Sequence, residues 1–297
     1  MGATGDAGSF ARRHWLLLTV PVIVAALGLG VFAGPWMAGP AATVSTAGHR
    51  AGSCPTISAR LGLHYPYSND PENSLTAIDA AHRIGVRKVE VDVWFSKDGV
   101  PVDIHDRTVN RTTAYTGRVS AYLAAQLQAM RLKVKGIPGD RAMSSQYLPS
   151  VRSALGRAKA DGMAVSVELK PRVLTKARAR ALVGLFGMVN DQAMVDVRSI
   201  HPRVLAEMRE AGYRGRLTLI TAGYKPLPES SGYWMESINY GGSGRHITAA
   251  EVAALHASGV LVDAWTPDTA AEVATVPAGV DQVTTNNVRG YRADTDC

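Results

Sequence analysis

A closed (β/α)8 barrel, an α/β fold of the TIM type, is what this sequence predicts for residues 54–297. Three observations carry the prediction. Eight short runs rich in Val, Ile and Leu recur along the chain. Amphipathic helical patterns separate most of them, and strands alternating with helices build a parallel sheet. Eight such units in about 240 residues fit a closed barrel better than an open sheet. The alternative, a doubly wound sheet, wants a Gly-rich loop after its first strand, and Leu61-Gly-Leu-His-Tyr-Pro66 is not one.

The strand signals fall at 58–64, 88–94, 164–169, 195–200, 216–221, 236–240, 260–265 and 281–285. Helical patterns fall at 73–84, 151–159, 175–189, 202–210, 248–256 and 269–276. Within 73–84, Leu75, Ile78 and Ala81 share a face. Thr248 with Glu251 is the T-x-x-E start of a capping box. Residues 105–149 form the longest irregular stretch, with a short helix near 121–130. Long loops in compact domains usually build sites, so this one is placed over an end of the barrel.

The first fifty residues read differently. Arg12-Arg13-His14 precede an uncharged apolar run from Trp15 to Ala33. Its length is near the ~20 residues that span a bilayer. The basic flank predicts a cytoplasmic N-terminus and an extracytoplasmic remainder. Residues 1–34 are thus a membrane anchor or a cleaved signal, for which Ser45-Thr46-Ala47 offers a small-residue cleavage site. Residues 35–53, rich in Ala, Gly, Thr and Ser, read as a flexible linker. The protein is secreted or held by this single segment, its one expected membrane contact.

Two cysteines, Cys54 and Cys297, bracket the folded part. Export permits a disulfide. In a closed barrel the first and eighth strands are neighbours, so a bond between these cysteines is predicted on the face opposite the site. Two free thiols are the other reading. The net charge of +7 suits a polyanionic envelope, a membrane surface or a phosphorylated substrate. No basic block with interleaved aromatics occurs, which argues against nucleic acid.

The chemistry collects at strand ends, where barrel sites are built. Val89-Glu-Val-Asp-Val93 puts Glu90 and Asp92 on one face of the second strand. Such a buried acid pair needs a cationic partner. Val165-Ser-Val-Glu-Leu-Lys170 brings Glu168 and Lys170 to the barrel axis. His64 ends the first strand, and His105 follows the extended run 100–104. Trp265 faces inward on the seventh strand. Three carboxylates without a nearby cysteine favour one divalent cation, Mg2+ or Ca2+, over zinc. Two histidines suit acid and base work near neutral pH, and the combination suits phosphoryl chemistry.

These residues, with Pro71-Glu-Asn-Ser-Leu75, Lys97-Asp-Gly99, His105-Asp106, Asn110-Arg-Thr-Thr113, Ala264-Trp-Thr266 and Gly279-Val-Asp-Gln-Val-Thr-Thr285, stand in an order that resembles the glycerophosphodiester phosphodiesterases. These lie within the superfamily of phosphatidylinositol-specific phospholipase C-like barrels. The resemblance implies that Glu90, Asp92 and Glu168 bind the cation, His64 and His105 are the acid/base pair, and Lys170 contacts phosphate. It implies a small-molecule or lipid-derived phosphodiester as substrate. One triplet departs: the family's His-Arg-Gly is met here by His64-Tyr65-Pro66. Arg198, inward on the fourth strand, is assigned the missing charge, the alternative being an internal pair with Asp196 or Asp263. Rival functions are phospholipase D-like cleavage of lysophospholipid or sphingomyelin, and a catalytically weak phosphodiester-binding envelope protein.

Overall fold

The computed structural model describes residues 54–134, 143–189, 194–240, 246–295 and 297. The expected signal or anchor at 1–34 and the linker at 35–53 lie outside them. Among the described residues no helix is long and apolar enough to cross a membrane.

The chain begins with β1 (Thr56–Ala59), α1 (Leu75–Arg83), β2 (Lys88–Phe95) and β3 (Pro101–Asp103). Next come α2 (Ala124–Gln128), β4 (Arg131–Lys133), β5 (Met143–Tyr147) and α3 (Val151–Ala160). Then follow β6 (Ala164–Leu169), α4 (Lys176–Val189), β7 (Val195–Ser199), α5 (Pro202–Glu210) and β8 (Arg216–Thr221). The rest is β9 (Met235–Asn239), α6 (Ala249–Ala257), β10 (Leu261–Trp265), α7 (Ala270–Val273), β11 (Gln282–Thr285) and α8 (Val288–Thr295).

The eight-strand parallel barrel is present. Strands pair in the order β1, β11, β10, β9, β8, β7, β6, β2, and the pairing of β1 with β2 closes the ring. β3 adds to β2 as an antiparallel extension. Outward Val89, Val91, Val165, Val167, Val195 and Val197 are fully buried. They share one core with Leu155 of α3 and Phe186 of α4. The barrel interior is polar instead: Lys88 Nζ donates to Asp196 at 3.1 Å and to Gln282 at 2.7 Å.

Helix starts follow local chemistry. Ser74 caps α1 through the Ala77 amide, and Ser150 caps α3 through Ser153. Thr248 and Glu251 form the expected capping box on α6.

Two expectations are corrected. The first strand stops at Ala59 and does not reach His64. The apolar rhythm of Leu61 and Leu63 continues past it, but Leu61 turns into left-handed backbone at φ 57. Gly62 then passes so close to α1 that an added Cβ would lie 2.6 Å from that of Ala77. The long 105–149 segment is less irregular than its sequence suggests: it holds the antiparallel pair β4–β5 as well as α2. These pack over a small core of Val109, Leu127, Leu132 and Leu148. β5 reads Met-Ser-Ser-Gln-Tyr, too polar to announce itself as a strand.

Cys54 and Cys297 form the expected disulfide, their Cα atoms 5.5 Å apart across 243 positions of sequence. Serine at both positions is expected to lower the melting temperature by about 5–10 °C, from ~2–4 kcal/mol of loop-closure entropy. Thermal unfolding with and without reductant reads this, and an unchanged transition would mean the bond constrains nothing.

Candidate active site

Parallel strands deliver their C-terminal ends to one face of a barrel. There the register sets Asp92 of β2 opposite Glu168 of β6, with Glu90 one pleat deeper. Asp92 is 0% exposed and Glu90 5%. Oxygens of the three carboxylates lie within 4.8 Å of one another. Glu90 Oε1 and Asp92 Oδ1 are buried and accept no well-formed hydrogen bond. Each has only an ion-pair neighbour: Arg60 Nε at 3.8 Å from Glu90, and Lys170 Nζ at 2.8 Å from Asp92. Lys170 also lies 2.8 Å from Glu168. A buried Glu90 oxygen without a close donor, converging with carboxylate oxygens of Asp92 and Glu168, fits a divalent cation, and an all-oxygen set fits Mg2+ or Ca2+.

The electrostatics agree. Burial, reinforced by the charge of Asp92, pushes the Glu90 carboxyl up to about 7. Burial also works against ionised Asp92, but the charges of Lys170 and Arg60 hold its carboxyl below the usual range. Asn73 supports this arrangement from the loop before α1. Its Nδ2 donates to Asp92 Oδ2 at 3.1 Å and to Asp103 Oδ1 at 2.7 Å. The N-cap of α1 is Ser74, which leaves the Asn73 side chain to the site.

Arg60 is the cation that reading the sequence missed. It leaves the end of β1 directly. Its Nη2 donates to His105 Nε2 at 3.0 Å, and its Nη1 reaches Asn286 Oδ1 at 3.4 Å. Arg60 follows Ala59, the last residue of β1, and precedes Leu61, which lies in the backbone region that glycine favours. Arg60 thus brings to the site a guanidinium that Tyr65 cannot supply, while His64 lies in the following loop. Arg198 is 1% exposed. Its Nη1 lies 3.1 Å from Asp263 and 3.3 Å from Glu90, and its Nη2 3.4 Å from Asp196. That is the internal pairing given above as its alternative.

His105 is held by a chain of ion pairs. Arg111 binds Glu72 on one side and, through Nε at 2.8 Å, Asp106 on the other. The Arg111 hydrogen bonds hold the Asp106 carboxyl down at about 2. Asp106 Oδ1 then faces His105 Nδ1 at 2.9 Å. A carboxylate accepts, so Nδ1 carries the hydrogen; a guanidinium donates, so Nε2 toward Arg60 carries a lone pair. His105 is thus arranged as a base.

The cleft has two lobes. One, of about 470 Å3, is lined by His64, Tyr65, Tyr67 and Asp268. The other, of about 350 Å3, is lined by Glu90, Glu168, Lys170, Arg198 and Trp265. Arg60 and His105 line both, and their contact stands between them. Trp265 is fixed by donating from Nε1 to the Ser237 carbonyl at 3.2 Å.

Comparison with known proteins agrees with this architecture. The sequence profile described as the Glycerophosphoryl diester phosphodiesterase family matches residues 62–289. The chain is 28% identical over 198 residues to rat Glycerophosphodiester phosphodiesterase 1, covering 61% of this chain and 55% of that protein. It thus spans about half the length of that curated relative. It is 24% identical over 221 residues to the Glycerophosphodiester phosphodiesterase of Caldanaerobacter subterraneus, covering 74% of this chain and 90% of that one. Among solved structures, an Oleispira antarctica phosphodiesterase in complex with the product sn-glycerol-3-phosphate shares the fold at TM-score 0.70 and 22% identity, over 82% of this chain and 97% of that one.

Proposed function

The chain belongs to the glycerophosphoryl diester phosphodiesterase family, and from that premise we propose that it is an exported, metal-dependent hydrolase of glycerophosphodiesters. It releases glycerol 3-phosphate and an alcohol. The observation that carries this reading is the carboxylate trio with its donor-poor buried oxygens beside Arg60 and His105. The Oleispira neighbour's bound product supports the same substrate class.

Glu90, Asp92 and Glu168 would hold one Mg2+ or Ca2+. Such an ion supplies a Lewis acid for a non-bridging phosphate oxygen. Arg60 turns from His105 to the phosphate and neutralises a second oxygen, and Lys170 adds charge beside it. His105 Nε2, freed of Arg60, takes a proton from the nucleophile. His64 completes the acid/base pair, and Trp265 walls the lobe. Arg60 beside the carboxylates supplies the guanidinium that Tyr65 lacks, which favours turnover over the catalytically weak binding reading.

Export rests on the basic flank and apolar run before residue 34, and on the Cys54–Cys297 bond. Residues 1–34 then serve as signal or anchor, 35–53 as linker and 54–297 as the catalytic domain outside the cytoplasm. Ile200, 53% exposed and lining the carboxylate lobe, favours lysophospholipid as a second substrate class. Assay of the full chain on glycerophosphocholine and lysophosphatidylcholine, with EDTA and then with Mg2+ or Ca2+, tests both. Turnover of glycerophosphocholine lost in EDTA and restored by one cation is expected. Preference for the lysophospholipid would favour the second reading, and turnover indifferent to chelation would overturn the metal dependence.

A further inference from the structure

We propose that Asn286, aimed by Asp268, is a positioning residue that holds His64 as the proton donor to the departing alcohol. The inference rests on the hydrolase reading above and divides its two histidines by role.

His64 is only 7% exposed and lies on the loop after β1. Its Nδ1 is 2.8 Å from the Tyr65 carbonyl oxygen. Its Nε2 is 3.1 Å from Asn286 Oδ1. The orientation of the Asn286 amide is set from both sides. Its Nδ2 donates to Asp268 Oδ2 at 2.6 Å, and its Oδ1 receives Arg60 Nη1 at 3.4 Å. The Asn286 backbone amide also donates to Asp268 Oδ1, at 2.8 Å. Both oxygens facing the His64 ring can only accept. Both ring nitrogens therefore carry hydrogens, the form that can give a proton. His105, facing a carboxylate on one nitrogen and a guanidinium on the other, has the opposite polarity.

Location gives the same division. His64 lines only the lobe away from the carboxylates, while His105 lines both lobes. With phosphate at the carboxylates, the leaving alkoxide points into the lobe that His64 walls. The oxygen of the nucleophile bonds to phosphorus as its proton passes to His105 Nε2. The bond from phosphorus to the alcohol oxygen breaks, and its electron pair stays on that oxygen. The alkoxide takes the hydrogen from His64 Nε2, leaving a neutral ring whose Nδ1–H still donates to Tyr65. Asn286 Oδ1 keeps Nε2–H directed at the cleft until the alkoxide replaces it as acceptor.

A leaving group that needs no proton separates this role from a merely structural one. The probes are glycerophosphoethanolamine, whose alkoxide must be protonated, and the p-nitrophenyl ester of glycerol 3-phosphate, whose phenolate departs unaided. His64→Ala in the full chain is expected to lose about 10²–10⁴-fold in kcat/KM on the first, the usual worth of a general acid, and far less on the second. Asn286→Leu should show the same asymmetry to a smaller extent, about 10-fold or more. Asn286→Asp, which sets a carboxylate against Asp268, should follow Asn286→Leu. Retained aryl ester turnover shows in the same assay that each variant folds. Equal losses on both substrates, in either His64→Ala or the Asn286 variants, would overturn the assignment. Failure of the unaltered protein on both substrates would instead overturn the hydrolase reading.

Discussion

Asparagine at position 92 is expected to lower kcat/KM on a glycerophosphodiester by about 10³-fold, or ~4 kcal/mol, because cation binding is lost. Asp92 is fully buried, its oxygens meet Lys170 and Asn73, and an oxygen lies within 4.8 Å of oxygens of Glu90 and Glu168. An amide keeps the shape but removes the charge that justifies burying the site. Titration calorimetry with Mg2+ and Ca2+ checks the loss directly, and unfolding curves check the fold. Intact cation affinity in Asp92→Asn would remove the carboxylates from the metal assignment.

The same site carries a pH signature. In the cation-free protein the Glu90 carboxyl is pushed up to about 7 from 4.5, first by burial and then by Asp92. A cation requires the ionised form. Affinity should therefore fall as pH drops through about 7, and binding near pH 6 should release a proton that binding near pH 8.5 does not. For stability the sign follows from the raised value. The contribution of Glu90 to the cation-free fold is complete below 4.5 and is lost as pH rises through about 7. Calorimetry in buffers of different ionisation enthalpy reads the proton count.

Arg60→Leu and Arg198→Leu remove the same charge from neighbouring places and should fail differently. Arg60 is partly exposed in both lobes and bound to groups that can release it. Its loss should lower kcat/KM by about 10²–10³-fold with a near-normal melting curve, since it removes a charge aimed at developing phosphate charge. Arg198 is enclosed by Glu90, Asp196 and Asp263. Its loss strands buried carboxylates and should destabilise the protein by about 3–5 kcal/mol. Denaturant unfolding beside steady-state kinetics distinguishes them. A stable, inactive Arg198→Leu with an active Arg60→Leu would reverse the assignment.

The barrel was legible because alternating aliphatic residues, valines in Ala164–Leu169 and leucines in Arg216–Thr221, mark such strands. The acid pair was legible for the same reason, since a period of two fixes which side chains face together. β1 was overextended because periodicity cannot sense a leucine in left-handed backbone. That one misplaced strand end hid Arg60. Asn73 and Ser74 are both capping types, and only the φ of 52 at Asn73 frees its amide for Asp92. Asn286 and Arg111 act on residues 222 and 39 positions away, separations that no local pattern reports.

On the proposed hydrolase reading, the place of Arg60 and His105 between the lobes also bears on how turnover ends. With phosphate held at this partition, the bond that breaks crosses it. The phosphomonoester remains on the carboxylate side and the alcohol on the side of His64. Neither lobe is sealed from solvent. Each product has its own exit, so neither departure must wait for the other. On that reading release is unordered, and a free alcohol and a free phosphomonoester can occupy the enzyme together.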